Sequence, residues 1–288
     1  MINTNFFILK ELIFGQAKLQ KNAIKIKTNK LLVFCWTLEF IFCTFACSQK
    51  QKTKSEEAMT PIRMSVFLSI LLLMQSCYQA KESYEHELGV ISNPRMYQKL
   101  AEDFPEKKLV NLQGYIPDIV LDIRYATKNN FTGRIIYPEP KAFIRLPVAK
   151  AIKNIQQDLY KKGLGLKIFD AYRPYSATVK FYEVYPDTNF VAAPWNGSRH
   201  NRGCAVDVTL IDLSTGEELE MPTTFDDFTA KAGHNYTDLP DTIIKNRKLL
   251  KETMENHGFS SYEHEWWHYD FNGWENYKLL NIPFTDLD

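Results

Sequence analysis

Cysteine is scarce beyond the N-terminal segment of this chain. Four of the five cysteines lie before residue 80, at Cys35, Cys43, Cys47 and Cys77, which leaves Cys204 for the rest of the sequence. A domain built from the later residues therefore has no disulfide framework and no cysteine-rich zinc motif.

The sequence also lacks an excess of either charge. Its 35 Lys and Arg residues balance 34 Asp and Glu residues, and the net charge is +1. This balance gives no electrostatic reason to expect nucleic acid or an anionic surface as a partner. A hydrophobic content of 45%, with 14% aromatic residues, instead indicates a globular core.

The apolar runs of the chain are shorter than the about 20 residues that a membrane-spanning helix needs. Two of them, residues 31–47 and 65–77, each follow basic residues and end with a small residue before cysteine. This arrangement is typical of a bacterial lipoprotein signal. We expect the true start at Met59 or Met64 and a lipid on Cys77, with one uncleaved N-terminal anchor as the alternative. Either interpretation predicts an extracytoplasmic protein that is held at the membrane by this segment alone.

The pattern of composition divides the chain into a leader over residues 1–78, a polar linker over 79–108 and one domain over 109–288. Apolar spacing, together with proline and glycine positions, predicts a strand over 166–169 and helices over 147–163, 176–185 and 241–257. In the last helix we expect Ile243, Leu250 and Met254 to face inward. Helices interspersed with short strands favour an α+β fold.

A polar cluster runs from residue 198 to residue 207 in the pattern S-x-H-x-x-G-x-A-x-D. A strand over 203–210 would place small side chains beside Asp207 on one face and apolar side chains in the core on the other. Asp207 is therefore expected to face open space, beside the loop that carries His200. Cys204 falls on the apolar face, so we interpret it as a packing residue rather than a metal ligand.

A second cluster, E-W-W-H over residues 265–268, lies in an aromatic run near the C-terminus. One histidine in such a run is usually a hydrogen-bonded core residue, but His200, Asp207 and His268 together offer two imidazoles and a carboxylate. Three such ligands with a spare glutamate are the inventory of a catalytic zinc site, whose fourth position stays open for water. We predict one Zn²⁺ per chain, although other transition metals also suit these ligands.

Glu265 is the candidate general base. In a regular strand, Glu265 and His268 would face opposite sides, because their offset is odd. We therefore expect the strand to begin at Trp266 and Glu265 to lie in the preceding loop. Glu263 and His264 are close enough to take the same role, and an exposed carboxylate without a role is the remaining alternative.

Arg173 follows the predicted strand directly and precedes Pro174. A surface ion pair is the usual role of an arginine. At the end of a core strand, however, Arg173 could hold a fixed positive charge over a cleft and stabilise an oxyanion.

These motifs resemble those of the D-alanyl-D-alanine dipeptidases, zinc peptidases associated with vancomycin resistance. The likeness extends from about Ile116 to the C-terminus. It rests on both clusters above, on D-A-Y-R-P at 170–174, on Y-A-T at 125–127 with N-F-T-G at 130–133, and on F-D at 225–226. The resemblance implies a single domain of the hedgehog and D,D-peptidase type, with a central, mostly antiparallel sheet flanked by helices.

The resemblance also implies roles for the polar residues of the site. It assigns zinc binding to His200, Asp207 and His268, proton transfer to Glu265 and transition-state stabilisation to Arg173.

Three further residues match positions that contact the substrate in that family. They are Ser198, Tyr125 and Asp226, of which Asp226 is placed to meet the ammonium group of a dipeptide.

The implied activity is the zinc-dependent hydrolysis of D-alanyl-D-alanine to two D-alanines, in the turnover of peptidoglycan precursors. One alternative is a D,D-carboxypeptidase or other murein peptidase that acts on longer stem peptides. Another is a binding module that keeps zinc without catalysis. Asp226 favours the dipeptide because it would meet a free ammonium group, whereas Glu265 and Arg173 have no use in a binding module.

Overall fold

The computed structural model describes residues 84–287, together with Ser69 and Leu71. Apart from those two residues, the predicted leader over 1–78, including Cys77, lies outside the described residues. Within the part of the chain that is described, no helix combines the length and the apolar character needed to cross a membrane.

The described residues form a five-stranded sheet and a two-stranded sheet. The strands are β1 (Leu109–Asn111), β2 (Val120–Leu121), β3 (Phe143–Arg145), β4 (Leu164–Asp170), β5 (Ala205–Asp212), β6 (Phe259–Tyr262) and β7 (Glu265–Phe271). The larger sheet has the order β2-β4-β5-β7-β6; its first pair is parallel and the other pairs are antiparallel. Strands β1 and β3 pair in the smaller sheet. The predicted α+β fold with a mostly antiparallel central sheet is confirmed.

Helices flank the sheets. They are α1 (Pro94–Asp103), α2 (Leu112–Tyr115), α3 (Leu146–Tyr160), α4 (Tyr175–Val184) and α5 (Asp241–Glu255). The three predicted helices correspond to α3, α4 and α5, with bounds that differ by a few residues. The apolar face of α3 is fully buried, at Val148, Ile152, Ile155 and Leu159.

Helix α5 differs from the expectation at one inward position. Leu250 and Met254 are fully buried, but Ile243 is only half-buried. Arg247, one turn later, is buried instead, and its guanidinium donates to the backbone oxygens of Gly233 and Tyr236. The first half of the helix therefore faces loop carbonyls rather than an apolar core.

Helix α1 lies inside the segment 79–108, which is predicted to be a linker. The compact unit of the chain begins at His86, so most of this segment belongs to it. Tyr97 of α1 is buried, and its hydroxyl accepts a hydrogen bond of 2.7 Å from the Leu109 amide. This contact fixes the helix beside the start of β1.

Candidate metal centre and active site

Strand pairing brings Asp207 and His268 together. The two residues lie directly opposite each other on the antiparallel strands β5 and β7. Directly opposed side chains project from the same face of a sheet, with Cβ atoms about 5 Å apart. Two of the predicted ligands, 61 residues apart in the chain, are therefore neighbours through the register of the sheet.

The third predicted ligand, His200, is positioned by a tight turn before β5. The 3₁₀ helix His200–Arg202 ends at Gly203, whose φ of +68° lies in the left-handed region. A Cβ at this position would lie 2.4 Å from Leu109 Cδ2, so the turn requires glycine. Through this turn, the His200 ring reaches the Asp207 side of the sheet.

The three side chains form one cluster of ligand atoms. His268 Nδ1 lies 3.0 Å from Asp207 Oδ1 and 3.2 Å from His200 Nε2, and His200 Nε2 lies 3.4 Å from Asp207 Oδ1. All three ligand atoms lie within 4.8 Å of one another. His200 and Asp207 are buried, and His268 is nearly so.

The hydrogen-bond partners of the two outer imidazole nitrogens determine which nitrogen of each ring carries the proton. His200 Nδ1 lies 2.7 Å from the Ala171 backbone oxygen, and His268 Nε2 lies 3.0 Å from Asp270 Oδ1. Because both partners are acceptors, we assign the ring protons to these outer nitrogens. The inner nitrogens and the Asp207 carboxylate then present three lone pairs to one point. This arrangement fits a bound divalent cation. With these tautomers, none of the three groups carries a hydrogen that it could donate to the other two.

Glu265 lies beside the cluster, but not in a loop as expected. It is the first residue of β7 and pairs with Tyr262. The pairing of β6 with β7 shifts in register at Ser261 and Tyr262, and such an irregularity breaks the regular alternation of faces. Glu265 Oε2 consequently lies 3.9 Å from His268 Nδ1 although the residue offset is odd.

The residue Glu265 is 6% exposed and lines the cleft. The competing residues Glu263 and His264 are exposed, and neither lines the cleft. Burial, together with the nearby charge of Asp207, raises the pKa of the Glu265 carboxyl to about 8. Such a group can take up and release a proton near neutral pH.

Arg173 is buried rather than engaged in a surface ion pair. Its Nε and Nη2 donate to Asp170 Oδ2 at 3.1 and 2.8 Å, and Nη2 lies 3.9 Å from Asp207 Oδ2. Burial opposes its charge, but Asp170 raises the pKa of the guanidinium well above its ordinary value. Arg173 is thus a fixed cation at the wall of the cleft.

The residues that hold this cation, Asp170 and Tyr137, are not among those predicted from the sequence. Asp170 also accepts a 2.9 Å hydrogen bond from the Tyr137 hydroxyl. Asp170 could have been predicted from its position, because it is an acid at the end of a core strand, three residues before Arg173. Nothing in the sequence pattern pointed to Tyr137.

Tyr125 and Asp226 are in direct contact at the aromatic end of the cleft. The Tyr125 hydroxyl donates to Asp226 Oδ1 at 2.9 Å, and the Phe131 amide donates to Oδ2 at 3.5 Å. Burial raises the pKa of the Asp226 carboxyl to about 7. Ser198 is buried and also lines the cleft, and its Oγ accepts a hydrogen bond from the His200 amide.

These residues share a small cleft with a cavity of about 90 Å³. Its remaining wall is mostly aromatic and includes Phe131, Phe181, Phe190, Phe228, Tyr262 and Trp267. The volume is well below the about 300 Å³ at which pockets for drug-sized ligands begin. The cleft therefore suits a small ligand with both polar and apolar groups.

Cys204 immediately precedes β5 and is a core residue, as predicted. It is fully buried, its Sγ donates to the Arg202 backbone oxygen, and burial raises its pKa to about 12. The thiol is a packing group.

Three potential metal ligands beside a buried acid and a fixed cation, in a cleft on an α+β sheet, are the arrangement expected of a metallopeptidase. Residues 105–285 match the family of peptidases described as D-ala-D-ala dipeptidase, and the chain belongs to that family.

Curated relatives and a solved structure are similar to this chain. The D-alanyl-D-alanine dipeptidase of Escherichia coli is 32% identical over 62% of this chain and 92% of the relative. The D-alanyl-D-alanine dipeptidase of Enterococcus faecalis is 31% identical over 57% of this chain and 88% of the relative. The vancomycin-resistance D,D-dipeptidase VanXYg, solved with a D-Ala-D-Ala phosphinate analogue, is 17% identical, with a TM-score of 0.30 over 51% of this chain and 57% of that chain.

Proposed function

We propose that the protein is a zinc dipeptidase that hydrolyses D-alanyl-D-alanine to two D-alanines. The observation that carries the proposal is the convergence of three potential ligand atoms, from His200, Asp207 and His268, beside the buried Glu265 carboxyl. Curated relatives named D-alanyl-D-alanine dipeptidase support the substrate. One Zn²⁺ per chain is expected, because the described residues contain one such cluster.

Zinc held by His200, Asp207 and His268 would supply Lewis acidity and lower the pKa of the attacking water toward about 7. Glu265 accepts the proton of that water as it attacks the peptide carbonyl, and then returns the proton to the departing amine. Arg173, which Asp170 holds in place, donates to the oxyanion that develops on the carbonyl oxygen.

The amino end of the substrate would meet Asp226. Its carboxylate, positioned by Tyr125 and the Phe131 amide, pairs with the free ammonium group, and Ser198 contacts the substrate elsewhere in the cleft. A longer stem peptide has an amide in place of that ammonium group and would leave the buried carboxylate unpaired, which is costly. A comparison of D-Ala-D-Ala with an acylated tripeptide that ends in D-Ala-D-Ala therefore distinguishes a dipeptidase from a carboxypeptidase.

The test of this function separates metal binding from turnover. We expect Glu265→Ala to keep stoichiometric zinc but to lose about 10²- to 10⁴-fold in kcat, the usual contribution of a general acid–base. His200→Ala should lose both zinc and activity, and the exposed Glu263→Gln should keep both. Activity of Glu265→Ala near that of Glu263→Gln would show that the assigned base is wrong.

We also propose an extracytoplasmic location with a lipid on Cys77, and a role in turnover or salvage of peptidoglycan precursors. Support comes from the lipoprotein-like pattern before Cys77 in the sequence. Mass spectrometry of the mature N-terminus tests the location. A diacylated Cys77 supports it, and an unprocessed N-terminus in the cytosolic fraction contradicts it.

A further inference from the structure

Asp270 contacts the outer nitrogen of a predicted metal ligand. His268 and Asp270 are two residues apart on β7, so their side chains leave the sheet on the same face. Asp270 Oδ1 lies 3.0 Å from His268 Nε2, and the Asp270 side chain is 13% exposed. The acceptor thus lies on the side of the imidazole that faces away from Asp207.

Arg199 holds the other oxygen of Asp270. Its Nε lies 3.6 Å from Asp270 Oδ2, and its guanidinium packs over the Trp274 ring at 4.8 Å from the centroid. The Arg199 side chain is 46% exposed, so solvent screens this ion pair. The pair orients the carboxylate while the second oxygen remains available to His268.

The two histidines of the cluster differ in the hydrogen-bond partner of their outer ring nitrogen. The outer nitrogen of His200 donates to the neutral backbone oxygen of Ala171 at 2.7 Å and lies 3.7 Å from the Asp170 carboxylate, beyond hydrogen-bond distance. The outer nitrogen of His268 is hydrogen-bonded directly to the Asp270 carboxylate at 3.0 Å. A carboxylate on the outer nitrogen fixes the tautomer and makes the imidazole a better electron donor to a metal. A carbonyl fixes the tautomer with a smaller effect on basicity.

We infer that Asp270 is a positioning residue, which orients His268 with its Nδ1 lone pair toward the ion and strengthens metal binding. The inference rests on the proposed function, because it requires a metal at His200, Asp207 and His268. Asp270 does not line the cleft, and it contacts the outer nitrogen of His268 rather than a ligand atom of the cluster. Its effect should appear in the affinity for the metal, whether or not the substrate is present.

The experiment measures the Kd for Zn²⁺ by competition with a chromophoric chelator at fixed pH, in the absence of substrate. We expect Asp270→Ala to bind zinc 10- to 100-fold more weakly than the wild type, the usual effect of removing such a partner. Asp270→Asn keeps an acceptor oxygen but no charge, and it should lie between the two. Glu263→Gln removes a nearby exposed charge that touches no ligand, and it should bind as the wild type does. Circular dichroism of each metal-free variant checks the fold.

The outcomes separate this inference from the proposed function. If the wild type binds zinc and both Asp270 variants bind within twofold of it, Asp270 has no positioning role, although the metal site stands. If the wild type does not bind zinc, the proposed function and the inference fail together. Should Asp270→Ala not fold, Asp270→Asn decides alone, and a folded Asp270→Asn with wild-type affinity overturns the inference.

Discussion

Asp226 combines a left-handed backbone with a buried carboxyl group. Among the described residues it is the one non-glycine with positive φ, at +63°. Such a conformation costs on the order of 1 kcal/mol, and residues that keep it are concentrated at functional sites. The strain and the burial are both understandable if the carboxylate must point into the cleft to receive a cation.

The pKa of Asp226 predicts how substrate binding depends on pH. A carboxyl with a pKa of about 7 is protonated below that pH and cannot pair with the substrate ammonium group. We expect the KM for D-Ala-D-Ala to rise at least severalfold as the pH falls from 8 to 6, while kcat falls separately over this range because protonation of Glu265, whose pKa is about 8, removes the general base. Asp226→Asn should have a high KM that does not change over this range. Assays with excess zinc keep the metal site filled, and a pH-dependent KM in Asp226→Asn would contradict the assignment.

The end of strand β4 is the element that holds the fixed cation. The strand ends at Asp170, and the chain then turns so that Arg173 folds back onto the same carboxylate. A buried charge without its partner is expensive. The pair therefore sets the position of the guanidinium before a substrate arrives.

Replacement of Asp170 should reduce catalysis more than binding. We expect Asp170→Asn to lower kcat by about 10²-fold, as for the loss of an oxyanion donor, while KM changes much less. Tyr137→Phe removes one hydrogen bond to Asp170 but leaves the ion pair between Asp170 and Arg173 in place, so its effect should be small. Steady-state kinetics below the melting temperature of each variant measures both, and wild-type kcat in Asp170→Asn would refute the role.

The turn before β5 is a second element on which the site depends. Gly203→Ala adds a left-handed alanine and a collision with the buried Leu109, which together should lower the free energy of unfolding by about 3 kcal/mol. Gly216→Ala is the matched control, because its φ is +77° but nothing lies within 4 Å of the new Cβ. It should cost about 1 kcal/mol. Equal losses in urea denaturation would show that close packing at Gly203 is unimportant.

At the scale of the whole molecule, the site joins distant parts of the chain. Its metal cluster spans residues 200–268, and the outer contacts come from Ala171 on one side and Asp270 on the other. The cluster therefore forms only when β4, β5 and β7 are paired in the observed register. Bound metal should in turn stabilise the folded chain, since an unfolded chain does not hold the three ligands together.

The sequence predicted the parts of this site that local patterns determine. The alternation along β5 placed Asp207 and Cys204 on opposite faces, and apolar spacing located α3, α4 and α5. The face of Glu265 could not be predicted, because it depends on an irregular pairing of β6 with β7. Contacts between side chains far apart in the chain, such as that of Tyr137 with Asp170, leave no local sequence pattern and could not be predicted either.

The metal content of the purified wild-type protein, measured by elemental analysis, tests the central claim most directly. The rate of D-Ala-D-Ala hydrolysis is measured in parallel, before and after addition of a chelator. The account predicts about one zinc per chain by the ligand count of a single site, loss of activity with a chelator and recovery on addition of zinc. Metal-free protein that cleaves the dipeptide at an undiminished rate in the presence of the chelator would contradict it.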